Sequence, residues 1–241
     1  MTGKENVDPF EPASVDLSSD CEETLKALVG VFLEENSRVN LSGLRTEEAC
    51  WHGNVLDSLA GCAIGMLNES DSLQIVDVGT GGGFPLLPLA TCFPHHQFTG
   101  IDSTNKKVQA VSRIIESLRL TNIQVVSGRL ETLGQQEQFR ETFDVVTARA
   151  LAPLNTIMEY KSPFCRQGGL VVCWKSLQIA QEIQECEHAC REVRCELVNH
   201  LFYALPKDYG TRQLLIFHKQ GQLSDKYPRD VGVPGKKPLQ G

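Results

Sequence analysis

The nine residues Asp77-Val78-Gly79-Thr80-Gly81-Gly82-Gly83-Phe84-Pro85 join an apolar segment to a helical pattern. The preceding segment, Leu73–Val78, is short and apolar, as expected of a buried strand. Glycines at a strand–helix turn bring the backbone close to a ligand, because they lack a side chain and tolerate positive φ. The same sequence would also make a tight turn that binds nothing. A dinucleotide-binding fingerprint needs glycine at its sixth position, where this chain has Phe84, so a nicotinamide enzyme is disfavoured.

Apolar segments alternate with helical patterns on both sides of this loop. Such alternation predicts βαβ units, and therefore a parallel sheet with helices on both faces. Two last segments, Leu197–Leu205 and Gln213–Phe217, flank a short polar link and suit an antiparallel hairpin. The fold class is α/β, with the Rossmann-like class I methyltransferase sheet of five parallel strands and a C-terminal hairpin. The predicted parallel strands are Leu73–Val78, Gln97–Asp102, Ile123–Ser127, Phe143–Thr147 and Leu170–Trp174, and the helices Phe84–Cys92, Lys106–Leu118, Leu154–Phe164 and Leu177–Val193.

Charge and composition divide the rest of the chain. Residues 1–24 carry a formal charge of −6 and residues 219–241 a charge of +3, within a total of −7. We expect a disordered acidic leader (1–20), an N-terminal helical cap (21–70), the ligand-binding domain (71–218) and a basic extended tail (219–241). Asp20 is the predicted N-cap of the first helix.

Several classes of protein and site are excluded by composition. No apolar run approaches the roughly 18 residues of a membrane span, so no membrane partner is expected. The start of the chain lacks the apolar region of a signal peptide, which predicts a cytoplasmic protein. The nine cysteines are therefore expected to be reduced thiols, and without a Cys-x-x-Cys pair we predict no metal site.

Polar residues follow the ends of the predicted strands, where ligands bind in parallel α/β sheets. Asp102 lies 23 residues after Gly79 and can accept hydrogen bonds from the ribose of an adenosine; alternatively it only caps the next helix, a role that Ser103 could also fill. Arg149 and Lys175 each follow a later strand and would hold a carboxylate or phosphate, or simply lie on the protein rim.

The loop pattern Asp-x-Gly-x-Gly-x-Gly resembles that of class I S-adenosylmethionine-binding domains. In those domains the loop wraps the methionine end of the cofactor. We therefore predict S-adenosyl-L-methionine as cofactor. The predicted cofactor-binding residues on the loop and the next strand are Asp77, Gly79, Thr80, Gly81, Gly83, Phe84, Asp102 and Ser103.

Four blocks of sequence resemble the bacterial glucose-inhibited division protein B family, the small-subunit rRNA guanine-N(7) methyltransferases. They are Arg38–Ser42, Val55–Leu59, Val76–Leu89 and Val146–Ala150, and the tail segments Lys226–Arg229 and Gly232–Leu239 resemble the C-terminal signature of the family. The resemblance implies an enzyme that methylates a guanine of 16S rRNA, and it places cofactor contacts at Gly79, Phe84, Leu130, Glu131 and Arg149. Asn54 stands where the family usually has histidine, and Leu86 where it usually has glycine.

We assign a set of residues to substrate binding, from the blocks that resemble the family, from the charge of the tail and, for Lys175, from its place after a strand. They are Asn40, Asp57, Ser58, Lys175, Arg229, Lys236 and Lys237. No catalytic base is assigned, because N(7) of guanine carries a free lone pair. The expected partner is 16S rRNA or the small ribosomal subunit, and the expected state is a monomer. The alternatives are a class I methyltransferase with another substrate and a non-catalytic S-adenosylmethionine-binding regulatory protein; the intact glycines and Asp102 disfavour the second.

Overall fold

One seven-stranded sheet organises the computed structural model, which describes residues 9–68, 71–149 and 152–240. The strand order is β3-β2-β1-β4-β5-β7-β6. The first five strands pair in parallel and β7 pairs antiparallel with both β5 and β6. The predicted fold class is thereby confirmed. The strands are β1 (Gln74–Val78), β2 (Gln97–Asp102), β3 (Ile123–Ser127), β4 (Phe143–Arg149), β5 (Cys165–Lys175), β6 (Cys195–Leu205) and β7 (Gly210–Lys219).

The central strand β1 explains why its sequence is apolar without alternation. Ile75 packs into one hydrophobic core, and Val76 and Val78 belong to a second core. A strand covered by helices on both faces needs apolar residues on both. β1 lies between β2 and β4. The chain passes from the carboxyl end of β1 towards β2 on one side, while β4 lies on the other side. A crevice therefore opens at this end of β1.

Helices cover both faces of the sheet. They are α1 (Ser19–Arg38), α2 (Glu47–Cys50), α3 (Asp57–Leu59), α4 (Leu86–Cys92), α5 (Asn105–Leu118), α6 (Leu130–Leu133), α7 (Leu154–Lys161), α8 (Ala180–Glu192) and α9 (Val233–Lys236). Within the predicted helical cap, a π-helical turn, Trp51–Leu56, joins α2 to α3 around Gly53. The N-cap of α1 is Ser18 rather than Asp20, since the Ser18 side chain accepts a hydrogen bond from the Cys21 N–H at 3.3 Å.

The described part of the predicted disordered leader is ordered against the outer strand. The Phe10 N–H donates to the Phe202 carbonyl at 2.9 Å, and its carbonyl accepts from the Ala204 N–H at 3.0 Å. The prediction was wrong for these residues because acidic composition does not reveal that an unpaired strand edge, β6, will accept them. Residues 1–8 lie outside the described residues.

The predicted extended tail instead folds back onto the domain. Lys219 is the last residue of β7 and is fully buried, with its ammonium group donating to the Ser162 hydroxyl at 2.6 Å. Tyr227 is buried and its hydroxyl donates to Glu192 at 2.5 Å. The prolines that disfavour a helix did not prevent the short α9, because Pro234 lies in its first turn, where no N–H is needed.

All nine cysteines are free thiols. Among the described residues, no group of three or more His, Cys, Asp or Glu side chains could hold a metal ion. Within the same part of the chain, no helix combines the length and apolar character needed to cross a membrane.

Candidate active site

A cavity of about 140 Å³ opens at the carboxyl ends of β1, β2 and β3. Five of the predicted cofactor-binding residues line it: Gly79, Asp102, Ser103, Leu130 and Glu131. Two further residues, Arg129 and Tyr160, complete the lining. The ends of the three strands therefore bring together residues from Gly79 to Glu131, as the parallel sheet predicts, and α7 adds Tyr160.

The glycine loop is fixed to the end of β2 by its own backbone. The N–H groups of Gly79 and Thr80 donate to the Ile101 carbonyl at 2.8 and 2.9 Å, and the Gly81 N–H donates to the Asp102 carboxylate at 3.0 Å. The other Asp102 oxygen accepts from the Thr104 N–H at 2.7 Å. Asp102 therefore holds the backbone ahead of α5, whose N-cap is Thr104, and does not itself cap that helix. It still lines the cavity, and its contact with the ribose stays a prediction. These loop N–H groups already donate hydrogen bonds within the protein. What the glycines contribute is open space over the loop, because they carry no side chain.

Two observations fit the methionine end of S-adenosylmethionine beside this loop. A Cβ atom at Gly81 would meet, apart from its chain neighbours, only the Gly79 carbonyl oxygen at 3.8 Å, so the space over this glycine is open. Asp77 is buried, and one of its carboxylate oxygens has no partner among the described residues, although the other accepts from Thr147 at 2.7 Å. An unpartnered buried carboxylate suits a cationic group such as the amino group of the cofactor.

A second cavity, of about 420 Å³, lies at the carboxyl ends of β4 and β5. Asp57 forms its floor with no exposed surface and is held by Arg149, Arg212 and Tyr203 at 2.8, 2.8 and 2.6 Å. The lining residues are Asp57, Arg149, Trp174, Lys175, Ser176, Tyr203 and Arg212. The predicted substrate residues Asp57 and Lys175 therefore meet here, together with Arg149.

The Arg149 guanidinium is held from several sides. It donates to the Gly53 carbonyl at 3.0 Å and to the Asn54 side chain at 2.6 Å, and it lies 5.6 Å from the centre of the Phe84 ring. These contacts join the N-terminal cap to the glycine loop. Arg149 lines the second cavity and not the first, so its predicted contact with the cofactor remains a prediction.

Other predicted site residues lie outside both cavities. Ser58 is fully buried and donates to the Asn54 carbonyl at 2.6 Å, and its assignment to substrate binding stays a prediction. Asp57 is equally buried and pairs with Arg149 and Arg212, so any effect it has on substrate acts through these arginines, and its assignment to substrate binding stays a prediction. Asn40 is exposed and accepts from Arg45 at 3.0 Å, away from the lining residues of either cavity.

The tail contributes a different contact from the one predicted. Arg229 is paired with Glu159, which has no exposed surface, at 2.5 Å. The Gly232 N–H donates to the carboxylate of Glu131, in the wall of the first cavity, at 2.8 Å. Arg229 is therefore a structural anchor of the tail, whereas Lys236 and Lys237 are exposed.

Four lining residues carried no usable sequence signal. Tyr160 lies inside α7, and Trp174, Tyr203 and Arg212 lie within strands, where each looks like an ordinary core or surface residue. Only the pairing of β5, β6 and β7 brings the last three beside Asp57.

Comparison with known proteins agrees with this geometry. The family model GidB, described as rRNA small subunit methyltransferase G, matches residues 21–207. The chain belongs to this family. A ribosomal RNA small subunit methyltransferase G of Alkaliphilus metalliredigens is 38% identical over 87% of both chains, and that of Brevibacillus brevis is 33% identical over 99% of this chain and 100% of its own. A proposed O-methyltransferase from Klebsiella pneumoniae shares the fold, with a TM-score of 0.55 at 14% identity over 85% of this chain and 97% of its own.

Membership of the GidB family makes the chain a small-subunit rRNA methyltransferase and confirms the predicted enzyme class. S-adenosylmethionine is the methyl donor of such an enzyme, as predicted from the glycine loop. The match spans the helical cap, the glycine loop and β6, and ends before β7. Of the residues that line the two cavities, Arg212 alone lies outside it.

Replacing Asp102 with alanine should weaken S-adenosylmethionine binding about tenfold to a hundredfold. Hydrogen bonds to a charged acceptor contribute about 1.5–3 kcal/mol, and the variant loses those that the ribose would make. Calorimetric titration measures the effect. Thr104→Ala is the matched control, because it changes an exposed side chain and keeps the backbone N–H that Asp102 binds. An unchanged affinity of the Asp102 variant would show that this residue only holds the backbone of Gly81 and Thr104.

Acid should weaken cofactor binding through Asp77. Burial raises the pKa of Asp77 to about 6, opposed by the Thr147 hydrogen bond. Binding of a cationic group favours the ionised carboxylate, so the dissociation constant should be constant above pH 6 and rise below it, by up to roughly tenfold per pH unit. Titrations between pH 5 and 8 test this. Asp77→Asn should remove the pH dependence, and a variant that keeps it would exclude Asp77 as its source.

In the tail, replacing Arg229 should affect stability, whereas replacing the two lysines should affect RNA binding. Arg229→Ala should lower the free energy of unfolding by about 2 kcal/mol, because buried Glu159 loses a charged partner but keeps the backbone N–H of residue 229.

Lys236→Ala with Lys237→Ala should leave the melting temperature unchanged and raise the KM for rRNA. The logarithm of affinity should then fall less steeply with salt, by about 0.7–0.9 per lost phosphate contact. An unchanged salt slope in the double variant would show that these lysines do not touch RNA.

Proposed function

We propose that the enzyme methylates N(7) of a guanine in 16S rRNA, and that the cavity above Asp57 receives the target base. The observation that carries this proposal is the state of Asp57. Its two oxygens are engaged by Arg149, Arg212 and the Tyr203 hydroxyl, so this carboxylate is not free to remove a proton. N(7) of guanine has a lone pair and no proton to lose, so its methylation needs no base.

The charge of the cavity suits the same base. The Hoogsteen edge of guanine presents two acceptors, N(7) and O6, and no other base presents two acceptors there. Arg149, Arg212 and Lys175 supply only donors to this cavity. A donor directed at O6 orients the base and leaves the N(7) lone pair free.

S-adenosylmethionine supplies a methyl group bound to a cationic sulfur. What the chain itself contributes is position: Asp102 and Glu131 line the first cavity, and Arg149 links the second to the loop through Phe84. Orientation of two reactants alone can contribute about 7–11 kcal/mol to lowering a barrier. An enzyme of this kind therefore depends more on binding and aligning the cofactor and the target base than on acid–base groups.

The test is identification of the methylated nucleoside. Protein-free 16S rRNA and intact small subunits are incubated with methyl-labelled S-adenosylmethionine, digested to nucleosides and analysed by mass spectrometry. We expect 7-methylguanosine, and methylation of a ring carbon, an exocyclic amine or a ribose would overturn the proposal. The cofactor-binding variant Gly81→Val provides the background control.

We further propose that the enzyme acts as a monomer in the cytoplasm, where its substrate is assembled. Both cavities are built from one chain, which supports the first part. Light scattering at the assay concentration tests it, and a dimer mass would contradict it.

A further inference from the structure

The middle of the basic tail lies against the wall of the first cavity. Arg229 holds both ends of this segment, because its guanidinium donates to Glu159 at 2.5 Å and to the Lys237 carbonyl at 2.7 Å. We call residues 229–237 the tail loop. It follows the part of the chain that the GidB family model matches, 21–207, and none of its residues, all of which the structure describes, lines either cavity.

Two glycines of the tail loop reach residues that line the first cavity. The Gly232 N–H donates to the Glu131 carboxylate at 2.8 Å. A Cβ atom at Gly235 would meet the Tyr160 hydroxyl at 3.3 Å, so the backbone of the loop lies in close contact with this hydroxyl. Glu131 belongs to α6 and Tyr160 to α7, so the tail loop joins two helices whose side chains line the cavity.

These two lining residues lie where the adenosine end of S-adenosylmethionine is expected. The open space over Gly81 and the buried carboxylate of Asp77 fit the methionine end beside β1, and Asp102 lies at the end of β2. In the order β3-β2-β1, a cofactor that lies across the strand ends reaches β3 after two strand spacings of about 4.8 Å each. Since α6 follows β3, we expect the adenine ring beside Glu131 and Tyr160.

We propose that the tail loop belongs to the cofactor site and positions Glu131 and Tyr160 at the adenosine end of S-adenosylmethionine. Gly232 is then a positioning residue, since its N–H holds the Glu131 carboxylate from outside the cavity. Its φ of +79° and ψ of −7° are those of the turn position that favours glycine or asparagine. Among the described residues, no atom apart from its chain neighbours lies within 4 Å of a Cβ built there. A substitution at Gly232 therefore acts through backbone conformation and not through crowding.

Two substitutions at Gly232 test the proposal by calorimetric titration. Gly232→Val should raise the dissociation constant of S-adenosylmethionine roughly tenfold, the scale of one hydrogen bond to a charged group, because a β-branched residue disfavours positive φ and draws the N–H away from Glu131. Gly232→Asn should restore wild-type affinity, because asparagine tolerates this conformation. Val231→Ala is the matched control, since this neighbouring side chain is 51% exposed. A lower melting temperature of Gly232→Val with unchanged affinity, or an equal loss in Gly232→Asn, would overturn the inference.

A fragment of the cofactor locates the effect. 5′-Methylthioadenosine carries the adenosine and the sulfur but no amino-acid group. Gly232→Val should weaken its binding by the same factor, whereas Asp77→Asn should not, and a loss confined to the intact cofactor would contradict a role at the adenosine end. Binding is measured without RNA, so the result does not depend on which base is methylated.

Gly235→Val reaches the same readout if Gly232→Val fails to fold. It keeps the Gly232 N–H in place and crowds the Tyr160 hydroxyl from outside the cavity. The dissociation constants of S-adenosylmethionine and of the fragment should both rise. Normal binding of the two ligands by folded Gly235→Val would overturn the inference.

Discussion

Valine at position 81 is expected to abolish S-adenosylmethionine binding while the fold remains intact. Gly81 has φ of +56°, which costs a side-chain-bearing residue about 1–3 kcal/mol, and a β-branched residue most. The space over its Cα holds no protein atom closer than the Gly79 carbonyl oxygen at 3.8 Å, so the valine side chain would occupy the place that the structure leaves open for the cofactor.

Calorimetry measures the loss of cofactor binding, and circular dichroism measures whether the fold is retained. The dissociation constant should rise more than a hundredfold, with a spectrum like that of the wild type. Gly30→Ala is the matched control: this glycine lies on the exposed face of α1 with no atom near its Cβ, and alanine there should stabilise the helix by about 0.5–1 kcal/mol without affecting binding. Normal binding of S-adenosylmethionine by the Gly81 variant would show that the cofactor does not bind at this loop.

A second large effect is expected at Asp57, where alanine should lower the free energy of unfolding by about 3–5 kcal/mol. The substitution leaves Arg149 and Arg212 without their shared anion and the Tyr203 hydroxyl without its acceptor. Both arginines retain some exposure, 19% and 34% of their side chains, which places the effect at the lower end of that range. Methyl transfer should also fall sharply, because Arg149 would lose its alignment at the cavity.

Denaturant unfolding measures the stability change, and Tyr203→Phe separates its parts. That variant removes one hydroxyl and keeps both ion pairs, so it should cost only about 1–3 kcal/mol and spare activity. If Asp57→Ala proved as stable as the wild type, the buried carboxylate would not be what holds these arginines. If Asp57→Ala lost stability but kept its activity, Asp57 would have a structural role only.

The predictions that failed concern the ends of the chain. The acidic segment around Phe10 was expected to be disordered and lies along β6, and the basic tail was expected to extend and instead anchors through Arg229 and Glu159. Charge and proline content describe what a free segment prefers. They do not reveal an open strand edge or a buried carboxylate elsewhere in the fold that offers a partner.

What the sequence determined by itself was local and periodic. The apolar segment ending at Val78, the glycines after it and Asp102 at the end of the next strand each meet a local requirement. These are a strand buried on both faces, a turn with positive φ, and a polar residue at a strand end. Parallel strand order then places such ends together, so the first cavity could be predicted in advance.

Only the tertiary structure decided the second cavity. Asp57 meets Arg149 and Arg212 across 92 and 155 positions of sequence. These pairs depend on which strand lies beside which and in what register, and a one-residue shift would turn Arg212 to the opposite face. No local pattern encodes that choice, because it is made by the packing of the whole sheet and the burial of the groups between its elements.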